Sequence, residues 1–137
     1  MIVIDCPERI ACDVCAAVCA RGVIAIGDTI TNRPTLNDEE NCAQCGLCVA
    51  GCPGQAIFLV GESDAEGRCQ VTLPYELSED IVSQRFLQAV DNLGRSIGSA
   101  KLIRIRRDLK FNKTSLLEIS VSQKVAAAVR GIRCHGK

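Results

Sequence analysis

Cysteines are the residues through which this chain could do chemistry. The 137-residue sequence holds ten of them, and eight precede residue 53. The second cysteine run reads Cys42-Ala-Gln-Cys45-Gly-Leu-Cys48-Val-Ala-Gly-Cys52-Pro53, a CxxCxxCxxxCP spacing. Three cysteines at this spacing wrap one turn of chain around a tetrahedral cluster, and a fourth must come from elsewhere. The pattern predicts iron–sulfur chemistry.

The first cysteine run repeats the second at an offset of 33 residues. The cysteines that match at this offset are Cys12, Cys15 and Cys19 in the first run and Cys45, Cys48 and Cys52 in the second. Ile24 and Ile57 keep the same offset, which indicates a duplicated unit of cysteine loop, short helix and strand. The repeat breaks once, because the position equivalent to Cys42 holds Arg9.

Two ligand sets follow from the rule that the last cysteine of each run binds the other cluster in two-cluster proteins. One [4Fe–4S] cluster is expected on Cys42, Cys45, Cys48 and Cys19. The other is expected on Cys6, Cys12, Cys15 and Cys52, with Cys6 reaching across a longer loop that contains Pro7 and Arg9. The crossing requires both copies to fold together, since each completes the other's metal site.

Other uses of these cysteines fit the pattern less well. A structural zinc site closes with four ligands and needs no third and fourth cysteine in each run. A disulfide framework is disfavoured if the protein works in a reducing compartment. Cys6 keeps an alternative as an unligated buried thiol, in which case its site would hold a three-iron or oxygen-labile cluster. Cys69, Cys134 and His135 stand apart from the runs and are expected to bind nothing.

Charge divides the chain into two halves. Residues 1–66 hold ten acidic and three basic side chains, a balance of −7, whereas residues 67–137 hold six acidic and thirteen basic, a balance of +7. The polar stretch Gly61–Gly67 separates them. We therefore expect two domains, at residues 1–62 and 68–137.

The N-terminus has no basic segment followed by a long apolar run, and no stretch of the sequence is long enough to span a membrane. We expect no signal peptide, no membrane insertion and a cytoplasmic location, where clustered cysteines usually bind metal.

The second half favours an α+β fold class that is rich in strands. Gln70–Tyr75 and Leu116–Val121 read as strands, and the alanine-rich Gln123–Arg130 as a short C-terminal helix. The segment between them has two interpretations. Either Ser78-Glu79-Asp80 caps a helix over Ile81–Leu93, or two strands near 81–90 and 97–106 turn at Asn92-Leu-Gly94. We expect a small, barrel-like β domain with the last helix packed on it.

A basic run crosses this half and consists of Lys101, Arg104, Arg106, Arg107, Lys110 and Lys113. It is either a solvated strand face or a docking surface for an acidic partner subunit. Nucleic acid is a poor fit, because Phe111 is the only aromatic residue in the run and no groove-reading motif occurs. No activated nucleophile or acid–base pair is visible, so we expect no catalytic residues.

The segment CAQCGLCVAGCPGQAI resembles the ligand loop of bacterial dicluster [4Fe–4S] ferredoxins, and residues 1–60 are similar to that family. Ala20 departs from it by replacing the proline that normally follows the fourth cysteine. The resemblance implies an N-terminal bacterial-ferredoxin-type domain that transfers single electrons.

The whole chain looks like the small ferredoxin-like subunits of FAD-dependent amino-acid or amine dehydrogenase complexes, on the segments MIVIDCPERIACDVC, VTLPYE and VRGIR. That resemblance implies a relay subunit in a hetero-oligomer with a flavin-containing partner. The alternative is a free-standing low-potential ferredoxin that shuttles between enzymes.

Overall fold

The computed structural model describes residues 1–6, 11–75, 86–111 and 114–134, with the side chain of residue 134 excepted. Several sequence predictions lie outside this part of the chain: the loop at Pro7 and Arg9, the cap at Ser78-Glu79-Asp80, and the interpretations of Lys113 and His135.

The described residues form mostly strands, with two short α-helices. The elements are β1 (Ile2–Ile4), α1 (Val14–Val18), β2 (Ile24–Ala25), β3 (Thr35–Leu36), α2 (Leu47–Gly51), β4 (Ile57–Val60), β5 (Arg68–Tyr75), β6 (Phe86–Val90), β7 (Ser96–Arg106), β8 (Ser115–Ser122) and β9 (Gly131–Cys134). Single 3-10 turns occur at Glu39–Asn41, Leu109–Phe111 and Ala126–Ala128.

The two copies of the duplicated unit have matching secondary structure at the same 33-residue offset. Helix α2 begins and ends 33 residues after α1, and β4 begins 33 residues after β2. The two helices pack closely, since a Cβ added to Gly51 of α2 would lie 3.3 Å from Val14 of α1. The sequence repeat is therefore a repeat of structure, and it brings the two cysteine runs side by side.

One antiparallel sheet of seven strands, in the order β1-β4-β5-β8-β7-β6-β9, crosses both halves of the sequence. Strands β2 and β3 form a separate pair. The stretch Gly61–Gly67 is the hairpin turn between β4 and β5, where Asp64 accepts backbone N–H bonds from Glu66 and Arg68, both at 2.9 Å. The shared sheet does not test the predicted domain division. Separate domains at residues 1–62 and 68–137 therefore stay a prediction.

The sheet separates two apolar cores, because alternate side chains of a strand point to opposite faces. On β4, Phe58 and Val60 enter one core, whereas Ile57 and Leu59 enter the other. The first core also holds the inward residues of β5, β6 and β8. The second core lies against α1, α2 and their cysteines. The cluster-binding loops are thus fastened to one face of the sheet.

The sheet borders the first core, and in the described residues it does not close into a barrel. Its two edge strands, β1 and β9, form no ladder with each other in the described residues, so the expected barrel is not confirmed. A side chain bridges the gap instead. Arg130, just before β9, donates to Asp5 at 2.8 Å just after β1, and it lies over the ring of Phe58 at 5.1 Å.

The structure tests two predictions for the second half of the chain. The strand interpretation of the contested segment is confirmed from residue 86 onward, because β6 and β7 form a hairpin that turns at residues 91–95. The predicted helix over Gln123–Arg130 is wrong. That segment holds one 3-10 turn whose Ala126 and Val129 are buried in the first core, and it leads into β9. Alanine propensity alone does not sustain so short a helix, so burial and strand pairing set its conformation.

The second half packs directly against the α2 cysteine loop. Gly46 precedes α2 at φ +84, and a Cβ built on it would lie only 2.5 Å from Leu116 of β8. The ring of Phe111 lies 3.6 Å from the same point. Glycine is required here both by the left-handed backbone and by the close approach of the sheet.

We expect Gly46→Ala to lower the free energy of unfolding by about 2–5 kcal/mol, because it combines backbone strain with overpacking. Gly22→Ala is the matched control, since Gly22 has φ +68 but nothing within 4 Å of the added Cβ. It should cost only about 1 kcal/mol. Anaerobic urea unfolding of the three proteins measures both values. Equal losses in the two variants would contradict the close packing of β8 on this loop.

Candidate metal centres

The loop that carries Cys42 and Cys45 lies between the 3-10 turn at Glu39–Asn41 and helix α2, and Cys48 lies in the first turn of that helix. Its bend comes from two left-handed residues, Gln44 at φ 55 and Gly46 at φ 84. The N–H of Gln44 donates to the sulfur of Cys42 at 3.4 Å. The loop thereby bends between its first two cysteines and helix α2, and a common centre for the three thiols stays a prediction of the CxxCxxC spacing.

One group of thiols centres on Cys48. Burial, together with the charges of Cys42, Cys45 and Cys19, raises the pKa of this thiol to about 12, although the N–H of Val49 opposes them. Such repulsion weakens with distance, so it marks thiols that lie close together. Cys19 belongs to the first run, and it stands here with three cysteines of the second.

The other group centres on Cys15. Burial raises the pKa of its thiol, the N–H of Ala16 offsets part of this effect, and the charges of Cys52 and Cys12 add to it. Here the cysteine from the other run is Cys52. In both groups a cysteine of one run thus interacts with cysteines of the other run, and the crossed ligand sets themselves stay a prediction.

A cavity of about 210 Å³ opens beside this second group, and the four cysteines in its lining are Cys6, Cys12, Cys15 and Cys52. One water needs only about 10–15 Å³ of such space, so the cavity has room for a group of many atoms. Ile4 and Ile57 add apolar walls. Four soft sulfur donors around an apolar space of this size suit a [4Fe–4S] core.

Backbone N–H groups contact the sulfurs in a repeated pattern. Val23 donates to Cys19 at 3.4 Å and Ala56 donates to Cys52 at 3.5 Å, and both pairs are four residues apart. Although burial acts to raise the pKa of Cys19, the backbone N–H groups of residues 21–24 outweigh it, so the pKa is lowered. Such bonds stabilise thiolates and help to set cluster potentials.

No disulfide joins the nine cysteines whose side chains are described. Within the same residues, no three His, Cys, Asp or Glu side chains converge tightly enough to hold one metal ion. Cys69 is buried in the first core beside Val71 and Val121, and it belongs to neither of the two thiol groups. In the described part of the chain, no helix has both the length and the apolar character that a membrane crossing requires.

Comparison with known families decides what these thiols hold. Residues 8–56 match the model of the 4Fe-4S dicluster domain. This segment is a 4Fe-4S dicluster domain. It carries two [4Fe–4S] clusters, and its role is electron transfer. Searches of curated proteins and of solved structures find no match to the chain.

The dicluster match begins at residue 8 and therefore does not include Cys6. The cavity lining is the observation that brings Cys6 to the second group. Sequence reasoning missed Arg106, which donates to the backbone oxygen of Cys45 at 2.8 Å. Arg106 stands in the basic run, but a contact between residues 61 positions apart leaves no local signal.

We expect Cys6→Ala to remove one cluster and leave the other intact, lowering the iron content from about eight to about four per chain. Loss of one iron only, with the spectrum of a three-iron cluster, would equally identify Cys6 as a ligand. The control is Cys69→Ala, which removes a buried thiol of the first core and should keep all the iron. Full iron and unchanged spectra in Cys6→Ala would remove Cys6 from the ligand set.

Proposed function

We propose that this protein is the electron-relay subunit of a multisubunit flavin-dependent oxidoreductase, of the amino-acid or amine dehydrogenase type. In this proposal, one cluster is held by Cys42, Cys45, Cys48 and Cys19, and the other by Cys6, Cys12, Cys15 and Cys52. The clusters supply one-electron chemistry. A flavin partner delivers electrons in pairs, and the two clusters carry them away singly.

The chain's own residues hold the clusters and exclude water. Val49 and Leu116 are fully buried and Ile57 is 1% exposed, so the core behind the thiols is dry. The N–H bonds to Cys19, Cys42 and Cys52 stabilise negative charge at the sulfurs. Cys45, in contrast, is exposed. This supports Cys45 as the edge through which electrons enter or leave.

The observation that supports a permanent partner is an apolar and cationic surface on strands β6 and β7. Phe86 is 67% exposed and Ile103 is 49% exposed, and Phe86 lies opposite Lys101 in the ladder. Ile103 stands at the irregularity between Leu102 and Arg104. Exposed large apolar side chains among cations are typical of an interface with an acidic, partly apolar protein surface.

This surface lies on the strand that also reaches the exposed cluster edge. Strand β7 ends at Arg106, whose guanidinium contacts Cys45. A partner that covers Ile103 and Lys101 would thus approach the cluster held by the Cys42–Cys48 loop. A free shuttle needs only the dicluster segment, so a basic second half in this position favours assembly over shuttling.

Affinity purification of the tagged chain from its native host should recover a flavin-containing protein in near-stoichiometric amount. We expect Ile103→Asp to lower its recovery at least tenfold, because a charge would enter the apolar contact. Leu93→Asp is the matched control, since Leu93 is 70% exposed at the hairpin tip between β6 and β7. A wild-type chain that elutes alone as a monomer would support the free-standing ferredoxin instead.

A further inference from the structure

Arg106 is the cation that the second half of the chain brings to a cysteine loop. Its guanidinium donates to the backbone oxygen of Cys45 at 2.8 Å and lies over the ring of Phe111 at 5.6 Å. Phe111 is itself buried in the core behind the loop. The hydrogen bond and the ring together fix the charge beside one residue that we assign as a cluster ligand.

The described part of the chain places no carboxylate in an ion pair with Arg106. The next cation along the strand differs, because Arg104 is paired with the buried carboxylate of Glu118. An unpaired, partly buried cation acts on its surroundings more strongly than a paired or fully solvated one.

The other thiol group has a cation nearby whose charge is cancelled. Arg130 lies 2.8 Å from Asp5, and Asp5 lines the cavity that holds Cys6, Cys12 and Cys15. Within the described residues, the charges near the two thiol groups therefore differ. One group has a neutralised ion pair at its edge, and the other has a fixed positive charge on its loop.

We propose that Arg106 raises the reduction potential of the cluster on the Cys42–Cys48 loop above that of its neighbour. Reduction adds one negative charge to a cluster, and a fixed cation stabilises the added charge. An electron shared between the two clusters would then rest mainly on this one, with this cluster reduced and the other oxidised by one electron and no bond or proton changing place.

The inference rests on the proposed ligand sets and the proposed partner. An electron accepted from the flavin partner would rest on the cluster whose loop contains the exposed Cys45, next to the proposed docking surface. Glu39 and Glu40 precede Cys42 on the same loop and act in the opposite sense. The test must therefore isolate the contribution of the arginine.

The test is an anaerobic redox titration of the isolated full chain, followed by electron paramagnetic resonance, with iron content measured for every variant. Wild type should show two resolved one-electron steps. Arg106→Gln should lower the upper step and leave the lower one in place. The exchange equilibrium between the clusters should move at least tenfold, which is about 59 mV for a one-electron couple.

Two further variants separate charge from structure. Arg106→Lys keeps the positive charge and should hold the upper step near its wild-type value. Arg133→Gln is the matched control, because Arg133 also donates to a backbone oxygen, that of Gly94 at 3.2 Å, but far from Cys45 in the sheet order. It should move neither step.

Three results would overturn the proposal: a single unresolved wave in wild type, equal shifts of both steps in Arg106→Gln, or an Arg106→Lys protein that behaves like the glutamine variant. If Arg106→Gln does not retain its iron, Arg106→Met replaces it, because it also removes the charge. Its upper step should fall as well, and an upper step at the wild-type value would count against Arg106.

Iron analysis keeps this outcome apart from the ligand assignment. About eight irons and two reducible clusters, with no effect of Arg106, would leave the dicluster relay standing and remove only the role of the arginine. About four irons in wild type would remove the ligand sets themselves.

Discussion

Thiolates that share a dry pocket repel one another unless positive charge lies between them. Burial and like charge raise the pKa of Cys48 to about 12 and raise that of Cys15 as well. A bound [4Fe–4S] core would supply the missing positive charge, whereas without it the raised pKa values keep these thiols protonated and uncharged. Binding of the metal is therefore coupled to release of the thiol protons.

The crossed thiol groups also make the two copies of the duplicated unit depend on each other for their metal sites. Cys19 and Cys52 each follow a helix of one copy and stand with the thiols of the other. The sheet extends this dependence beyond the duplicated unit, because β8 supplies Leu116 to the core behind the cysteines. Strand β7 supplies Arg106 to the Cys45 loop. The second half thus completes the surroundings of one cluster as well as supplying five strands of the shared sheet.

The sequence predicted what is local or repeated. The 33-residue offset located both helices and strand β4, and alternation located β5, β7 and β8. It could not predict contacts between distant positions, such as Arg130 with Asp5 or Arg106 with Cys45. The sequence also predicted a helix at residues 123–130. That prediction is wrong, because burial of Val129 and pairing of β9 outweigh alanine propensity.

One signal in the sequence was available and missed. Two DxxGR segments, at residues 64–68 and 91–95, form equivalent hairpin turns. In each, the aspartate accepts N–H bonds from residues two and four positions later.

An anaerobic reductive titration tests the presence of two clusters most directly. The account predicts two electrons taken up per chain, with about eight irons and eight sulfides. Uptake of one electron with about four irons would contradict it.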